Sequence, residues 1–312
     1  MPPPAPGRAI AYAPGSTSNL GPGFDCLGVA FTGKGDRVRA EVVASVGVRV
    51  VSVSDSRIPT DPARNTAAIA AAAVLRRLGS ALGLELTLEK GLPLSGGMGG
   101  SAASAVAGAV AADAALGALL SPDDLLEAAL EAESVVAGRH LDNVAASLFG
   151  GAVLVVTQDP PRFARVRVDA RLALVLATPA YGVETARARA VLPLEVPRAD
   201  AVAQASGLAG LLLGLERGEA DLVRVSMRDL IAEPARASLY PGYPEARTAA
   251  MAAGALGVVV SGAGPTVVAI VLEAASRAVA EALVGGYRSV GIEATAHEAR
   301  VDETGARVES RG

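Results

Sequence analysis

Gly96, Gly97, Gly99 and Gly100 stand just ahead of Ser101 and a run of alanines in GLPLSGGMGGSAASAVAGAVAAD, residues 91–113. Glycine reaches backbone conformations that a Cβ forbids, so successive amides can turn toward one point. The alanine run has strong helix propensity, with Ser101 a natural first residue. A glycine loop that opens a helix presents unpaired N–H groups and the positive end of the helix dipole, which suits a phosphate. The common nucleotide motifs fit poorly. A P-loop needs a lysine after its last glycine, whereas the chain's only lysines are Lys34 and Lys90. Gly97, Gly99 and Ala102 satisfy a loose dinucleotide pattern, but Pro93 interrupts the approach and no acidic residue ends a second strand downstream. A plain glycine turn before a buried helix stays open as the alternative.

Other segments carry polar groups beside tight turns. STSNLGPGFDCLG, residues 16–28, turns at Gly21, Pro22 and Gly23 between Asn19 and Asp25. It reads either as a capped hairpin or as a ligand loop in which Asp25 accepts from an ammonium or hydroxyl. GRHLDNVAASLFGG, residues 138–151, sets His140, Asp142 and Asn143 at a helix start, with Asp142 as the expected N-cap. Glu131 and Glu133 lie near the end of the helix before it. Either is a surface charge or the carboxylate that a magnesium–nucleotide site requires. TARARAVLP, residues 185–193, carries Thr185, Arg187 and Arg189, and EPAR carries Arg236. Arginine supplies the planar, bidentate donor that a carboxylate substrate needs. SGAGP, residues 261–265, is a tight turn between two apolar runs.

The elements that position these residues are legible in outline. Apolar alternation predicts strands at 8–13, 26–31, 37–43 and 46–53. A helix follows at 65–79, with Asn65 as N-cap, and the strand LELTLEK, 84–90, leads into the glycine loop. Helices are expected at 101–117, 122–137 and 142–149, then a strand at 152–156. Beyond a boundary near 157–162, strands at 163–168 and 172–177 precede helices near 184–191, 199–216, 219–231 and 244–253. Two strands flank SGAGP, and a helix at 274–286 and a strand at 291–298 follow, with a frayed tail from 302. Strands and helices mix without strict βαβ repetition, which argues for α+β.

Composition excludes several classes. A net charge of −4 with no basic cluster gives no reason to expect nucleic acid. No long, strongly apolar run suggests a membrane span, and the N-terminus lacks the regions of a signal peptide. One cysteine, Cys26, excludes an internal disulfide and fits a reducing cytoplasm. With only His140 and His297 as histidines, a zinc site is not expected, whereas a hard cation on oxygen ligands stays open.

Taken together, Asn19–Asp25, the glycine loop, HLDN and SGAGPT occur in the order found in the GHMP kinases, small-molecule kinases for galactose, homoserine, mevalonate and phosphomevalonate. The loop resembles their P-x-x-x-G-L-G-S-S-A-A motif. STSNLGPGFDCLG, HLDNVAASLFGG and TARARAVLP are similar to the members that act on homoserine. The resemblance runs from residue 10 to residue 298. It implies an α+β fold of two domains, an ATP-binding, ribosomal-protein-S5-like domain at 1–157 and a ferredoxin-like domain at 158–312. It also implies that Pro93, Leu94, Ser95, Gly96, Gly97, Met98, Gly99, Gly100, Ser101, Ala102 and Ala103 wrap the phosphates of ATP. Ser101 and Glu133 would hold Mg²⁺; Glu133 is preferred to Glu131 because it lies five positions before Gly138, as in the family.

For the acceptor, the resemblance assigns Asp25 and Asn19 to an ammonium, Arg189 and Arg236 to a carboxylate, and Thr185, His140 and Asn143 to the reacting end. Ser101, Glu133, Asn143 and Arg189 form the implied catalytic set. The implied reaction phosphorylates the side-chain hydroxyl of homoserine for threonine synthesis, by direct attack without a dedicated base, in a cytoplasmic enzyme that forms a homodimer. A kinase for another small alcohol, such as threonine or a mevalonate-type acid, and an inactive nucleotide-binding regulator are the alternatives. Three departures stand out: Met98 replaces a leucine, Gly100 replaces the first of two serines, and the chain is one residue shorter between Gly138 and His140. Loss of the serine hydroxyl predicts weaker ATP binding.

Overall fold

The computed structural model describes residues 7–136 and 138–312. Residues 1–6, at the N-terminus read above, and Ala137, the expected end of the third helix, lie outside it. The first lobe is built on β1 (Arg8–Asn19) and β2 (Gly23–Val43), a long antiparallel hairpin. Its turn takes Asn19, Leu20 and Gly21 through positive φ. β3 (Gly47–Val53) runs parallel to β4 (Gly83–Glu89), which pairs with the second half of β2. β5 (Ala152–Gln158) pairs with the first half of β2 and with β6 (Pro161–Val166). In β4, Leu84, Leu86 and Leu88 are buried while Glu85 and Thr87 are less so, the period of a half-covered strand.

Four helices cover this sheet: α1 (Thr66–Arg77), α2 (Gly100–Ala115), α3 (Pro122–Val136) and α4 (Leu141–Phe149). Asn65 caps α1 as expected, its side chain accepting from the Ala68 amide at 3.2 Å. Every residue of α2 from Ala102 to Ala115 is buried, so this helix is the centre of the lobe rather than a surface element. Its small side chains let neighbours approach at backbone distance. A Cβ on Gly108 would sit 2.4 Å from the Ala67 carbonyl oxygen on α1.

The second lobe holds β7 (Leu172–Pro179), α5 (Thr185–Ala190), α6 (Arg198–Arg217), α7 (Ala220–Ser226), α8 (Ala232–Arg236) and α9 (Tyr243–Ala252). β8 (Gly257–Val260), β9 (Val267–Leu272), α10 (Ser276–Ser289) and β10 (Ala294–Ala299) follow. The antiparallel sheet has the spatial order β10-β7-β9-β8, a split βαβ arrangement of ferredoxin type. Alternation divides its faces. Val175, Ala177, Val267 and Ala269 pack with residues of α9 and α10. Leu174, Leu176, Val268 and Ile270 belong to the same core as the first lobe. The architecture is therefore α+β, as expected.

Three local expectations fail for identifiable reasons. The helix expected at 219–231 ends at Ser226, because the Asp229 carboxylate accepts the amides of Ile231, Ala232 and Glu233 and starts α8 instead. The tail from 302 is not frayed. Buried Asp302 accepts the amides of Thr304 and Gly305, each at 3.0 Å, and β11 (Arg307–Arg311) then adds to β1. Sheet membership also does not follow one cut at 157/158, since β6 extends the first sheet and β11 returns to it.

Candidate active site

The glycine loop joins β4 to α2, and its backbone has no room for side chains at Gly97 and Gly99. Gly97 and Gly99 have φ of 73° and 65°. A Cβ on Gly97 would lie 2.4 Å from the Ser261 carbonyl oxygen, and one on Gly99 would lie 2.1 Å from Ser16 Oγ. The loop's carbonyls are tied to the protein behind it. Gly96 O accepts from Thr266 N at 3.2 Å, Gly97 O from Ser261 Oγ, and Met98 O from Ser16 N at 3.2 Å. With three carbonyls turned back, the amides from Ser95 to Ser101 have no protein acceptor among the described residues. That is the polarity an anion requires.

Not every residue of the expected loop presents a side chain to the cleft. Met98 is buried against Thr178, and Ala102 and Ala103 lie in the core, so these three offer backbone alone. Ser101 does not cap α2; Gly99 occupies the N-cap in a left-handed conformation. The Ser101 hydroxyl instead donates to Glu133 Oε1 at 2.8 Å.

Glu133 projects from α3 and is 2% exposed, and its Oε2 has no hydrogen-bond partner among the described residues. An ionised oxygen so placed costs several kcal/mol unless a cation or donor completes it. Glu131, the other sequence candidate, pairs with Arg76 and Arg77 on the surface. His140 Nδ1 stands 3.4 Å from Glu133 Oε1. Burial pulls the imidazole's pKa down, but the hydrogen bond and charge of Glu133 outweigh it, so the net shift is upward.

At the start of α4 the structure corrects the expected cap. His140 is the N-cap residue, and Asp142 lies inside the first turn, 2% exposed. Burial raises the Asp142 carboxyl to about 6. Its Oδ1 accepts from the Asn143 amide at 2.9 Å and from Asn143 Nδ2 at 3.2 Å. Asn143 Nδ2 also donates to Ser18 Oγ at 3.0 Å, while Asn143 Oδ1 accepts from Ser16 Oγ at 3.0 Å. Both amide protons are therefore engaged, and Oδ1 keeps one lone pair beside Gly99.

The far end of the cleft is made by both lobes. Asp25, from β2, and Arg189, from α5, form a bidentate pair with two 2.8 Å hydrogen bonds. Their side chains are 38% and 41% exposed. The hydrogen bonds it donates to Asp25 raise the Arg189 pKa further. Arg236 is buried, donating to Ala188 O at 2.8 Å and Gly262 O at 3.2 Å. Both guanidinium groups lie over the Phe24 ring, within 5.9 and 5.3 Å of its centroid. Asn19 spends its amide on structure, donating to Gly262 O at 2.8 Å and accepting the Asp25 amide at 3.1 Å. Thr185 opens α5 and faces the cleft, whereas Arg187 is exposed and lies off it.

One cleft of about 390 Å³ thus gathers Asn19, Asp25, Ser101, Glu133, His140, Asn143, Thr185, Arg189 and Arg236 with the glycine loop. Sequence reasoning missed Ser16 and Ser18, the buried orienting groups of Asn143. Their signal was a pair of hydroxyls two apart on a strand, hence on one face. It also missed Lys90, which lines the cleft, and Phe24. No group of three or more His, Cys, Asp or Glu side chains converges among the described residues. A cation at Ser101 and Glu133 would therefore draw its other ligands from phosphate and water.

Two family models match the chain, GHMP kinases N terminal domain at residues 65–151 and GHMP kinases C terminal at 211–288. The chain belongs to the GHMP kinase family, and it is an ATP-using kinase. Its relatives there include the homoserine kinase of Arabidopsis thaliana, 40% identical over 95% of this chain and 83% of that one. The homoserine kinase of Halorubrum lacusprofundi is 37% identical over 93% of this chain and 95% of that one. The crystal structure of homoserine kinase from Cytophaga hutchinsonii superposes with a TM-score of 0.93 at 37% identity, covering 96% of this chain and 97% of that chain.

Proposed function

We propose that the protein transfers the γ-phosphate of ATP to the side-chain hydroxyl of L-homoserine, forming O-phospho-L-homoserine on the route to threonine. The observation that carries the reading is the cleft itself. Amides with no protein acceptor line one end, and a carboxylate with two arginines lines the other. A zwitterion with a hydroxyl on a short arm matches that charge pattern better than a sugar does. Full-length relatives named homoserine kinases support the same substrate. We place the enzyme in the cytoplasm, where its single cysteine suits a reducing medium, and read it as a homodimer, in keeping with the resemblance to its family.

In this reading Asp25 takes the ammonium, and Arg189 and Arg236 take the carboxylate, with Asn19 holding Asp25 in place. Each charged contact contributes on the order of 2 kcal/mol, and the planar guanidinium adds orientation. The acceptor hydroxyl then donates a hydrogen bond to the remaining lone pair of Asn143 Oδ1, which directs its oxygen at the γ-phosphate. His140 and Thr185 line the same end. The loop amides from Ser95 to Ser101 bind the phosphates. Phosphoryl transfer asks mainly for such positioning and charge stabilisation.

The unpartnered Glu133 Oε2 and the adjacent Ser101 hydroxyl fit a hard divalent cation. Mg²⁺ bound there would neutralise phosphate charge and fix the polyphosphate geometry. Asp142 is the acidic group nearest Asn143, and its acceptor Oδ1 is occupied by that residue. We therefore assign it to orientation rather than proton abstraction, so that the hydroxyl proton leaves to phosphate oxygen or water.

The test is ADP release with Mg-ATP and a panel of homoserine, threonine, mevalonate and galactose. The reading expects a kcat/KM for homoserine at least ~100-fold above the others, about 2.7 kcal/mol in transition-state terms. Equal or higher kcat/KM on another alcohol would replace the substrate, and ATP binding without turnover would leave a regulator.

A further inference from the structure

We infer that Lys90 is a positioning residue for the nucleotide: its ammonium ties the two ends of the glycine loop together and takes the space of a side chain at position 100. The inference rests on the reading of that loop as the ATP site. Lys90 follows the last residue of β4, and Gly100 is the first residue of α2, so these two residues bracket the loop. Lys90 Nζ donates to the Gly100 carbonyl, to the Asp36 carboxylate and to Ser104 Oγ, the last at 2.9 Å. An ammonium has three protons, and each has an acceptor here.

The surroundings make this contact a fixed one. The Lys90 side chain is 7% exposed and that of Asp36 is fully buried. Asp36 further accepts from Ser104 Oγ at 2.6 Å and from the Gly91 amide at 3.1 Å, the first residue of the loop. The Lys90 amide donates to Ser54 Oγ at 2.8 Å, which anchors its backbone to the residue that follows β3. A buried charge pair with all its hydrogen bonds made costs little to keep and much to break on one side. With its charge matched by Asp36, Lys90 does not serve as a free cation for phosphate. It acts through the loop, by fixing the distance between residues 90 and 100.

Position 100 is where the family pattern has a serine. A Cβ there would meet Lys90 Nζ at 3.1 Å and Cε at 3.5 Å. Glycine lets the ammonium lie against the backbone carbonyl, so position 100 carries a fixed backbone in place of a hydroxyl.

The test uses the full chain with Lys90→Met in an Asp36→Asn background, so that no buried carboxylate loses its partner. Mg-ATP binding by calorimetry, both KM values and Tm are compared with the parent. The expected result is a rise of ~100-fold in Kd and KM for ATP, the scale of a misplaced binding group, with KM for homoserine unchanged. A merely structural role would lower Tm and the active fraction but leave both KM values alone, and that result overturns the inference. If the double variant does not fold, Lys90→Arg keeps the pairing with Asp36 and still alters the fit at Gly100. The same selective rise in KM for ATP is expected, and an unchanged value overturns it. Gly100→Ser is expected to weaken ATP binding, and tighter binding contradicts the assignment. A parent protein that does not bind Mg-ATP at all refutes the reading of the loop, an outcome distinct from a parent that binds and variants that bind equally well.

Discussion

The two ends of the cleft are built in opposite ways. At the phosphate end, Glu133 and Asn143 are held by hydrogen bonds from their own lobe, and the glycine loop has its carbonyls tied back, two of them by Ser261 and Thr266 of the second lobe. At the acceptor end, Asp25 and Arg189 come from different lobes, stand more than a third exposed and pair with each other. The first end is preorganised for charge that does not vary from one acceptor to another. The second must exchange an existing ion pair for the charges of a zwitterion. The difference teaches where each kind of damage will show: rate at the buried end, acceptor affinity at the exposed one.

The largest effect is expected from Glu133→Gln. Removing the charge beside the phosphates should lower kcat by on the order of 10³-fold, as loss of a preorganised electrostatic group does. Thermal stability should hold or rise, because an unpaired buried oxygen is relieved. Steady-state kinetics and melting curves check both, and a kcat near the parent's would break the comparison at its stronger end. Arg236→Met comes next. A charge-assisted pair to a carboxylate is lost, so KM for homoserine should rise ~100-fold. KM for ATP should stay unchanged; an equal rise in both would show that the two ends do not act separately.

Asp25→Asn should raise KM for homoserine by about 10-fold and change stability by no more than ~1 kcal/mol, since exposed ion pairs contribute little. A large loss of stability on denaturant titration would contradict the view of this pair as a solvent-screened one. Asp142→Asn should have the smallest effect on rate, because Oδ1 and its two hydrogen bonds survive. A fall in kcat of ~100-fold, within the range for a general base, would overturn its assignment to orientation.

The same variant carries a pH signature. In the folded chain Asp142 keeps its proton to about pH 6, whereas a carboxyl in the unfolded chain loses it near pH 4. The folded state binds more protons between those values, so this group's contribution to stability falls as pH rises through the window. Moving the carboxyl pKa by that amount corresponds to ~3 kcal/mol at pH 7. Asp142→Asn should gain stability over the parent at pH 7 and lose that advantage at pH 4. Melting curves at the two values decide it.

Much of this was legible from residues alone. The glycines before Ser101 announced an anion loop, and β4 and α2 fall within two residues of their expected ends. The residues alone left Glu131 and Glu133 open; the resemblance to the family favoured Glu133, and Glu131 pairs with arginines on the surface. What stayed hidden depends on tertiary contact. Asp142 looked like an N-cap because Asp is a good one, but burial within α4 gave the position to His140. Lys90 was noted only for being in the wrong place for a P-loop. Its distance from position 100 is set by folding, and no spacing rule reports it. The strand at the C-terminus was hidden for a similar reason, since RVESR shows no apolar alternation and pairs with β1 at the edge of the sheet.

The most direct test of the account is phosphorus NMR of the parent protein with Mg-ATP and L-homoserine. The account predicts a new phosphomonoester resonance that grows in step with ADP and requires homoserine. ADP that appears with inorganic phosphate alone, or no ADP at all, would contradict it.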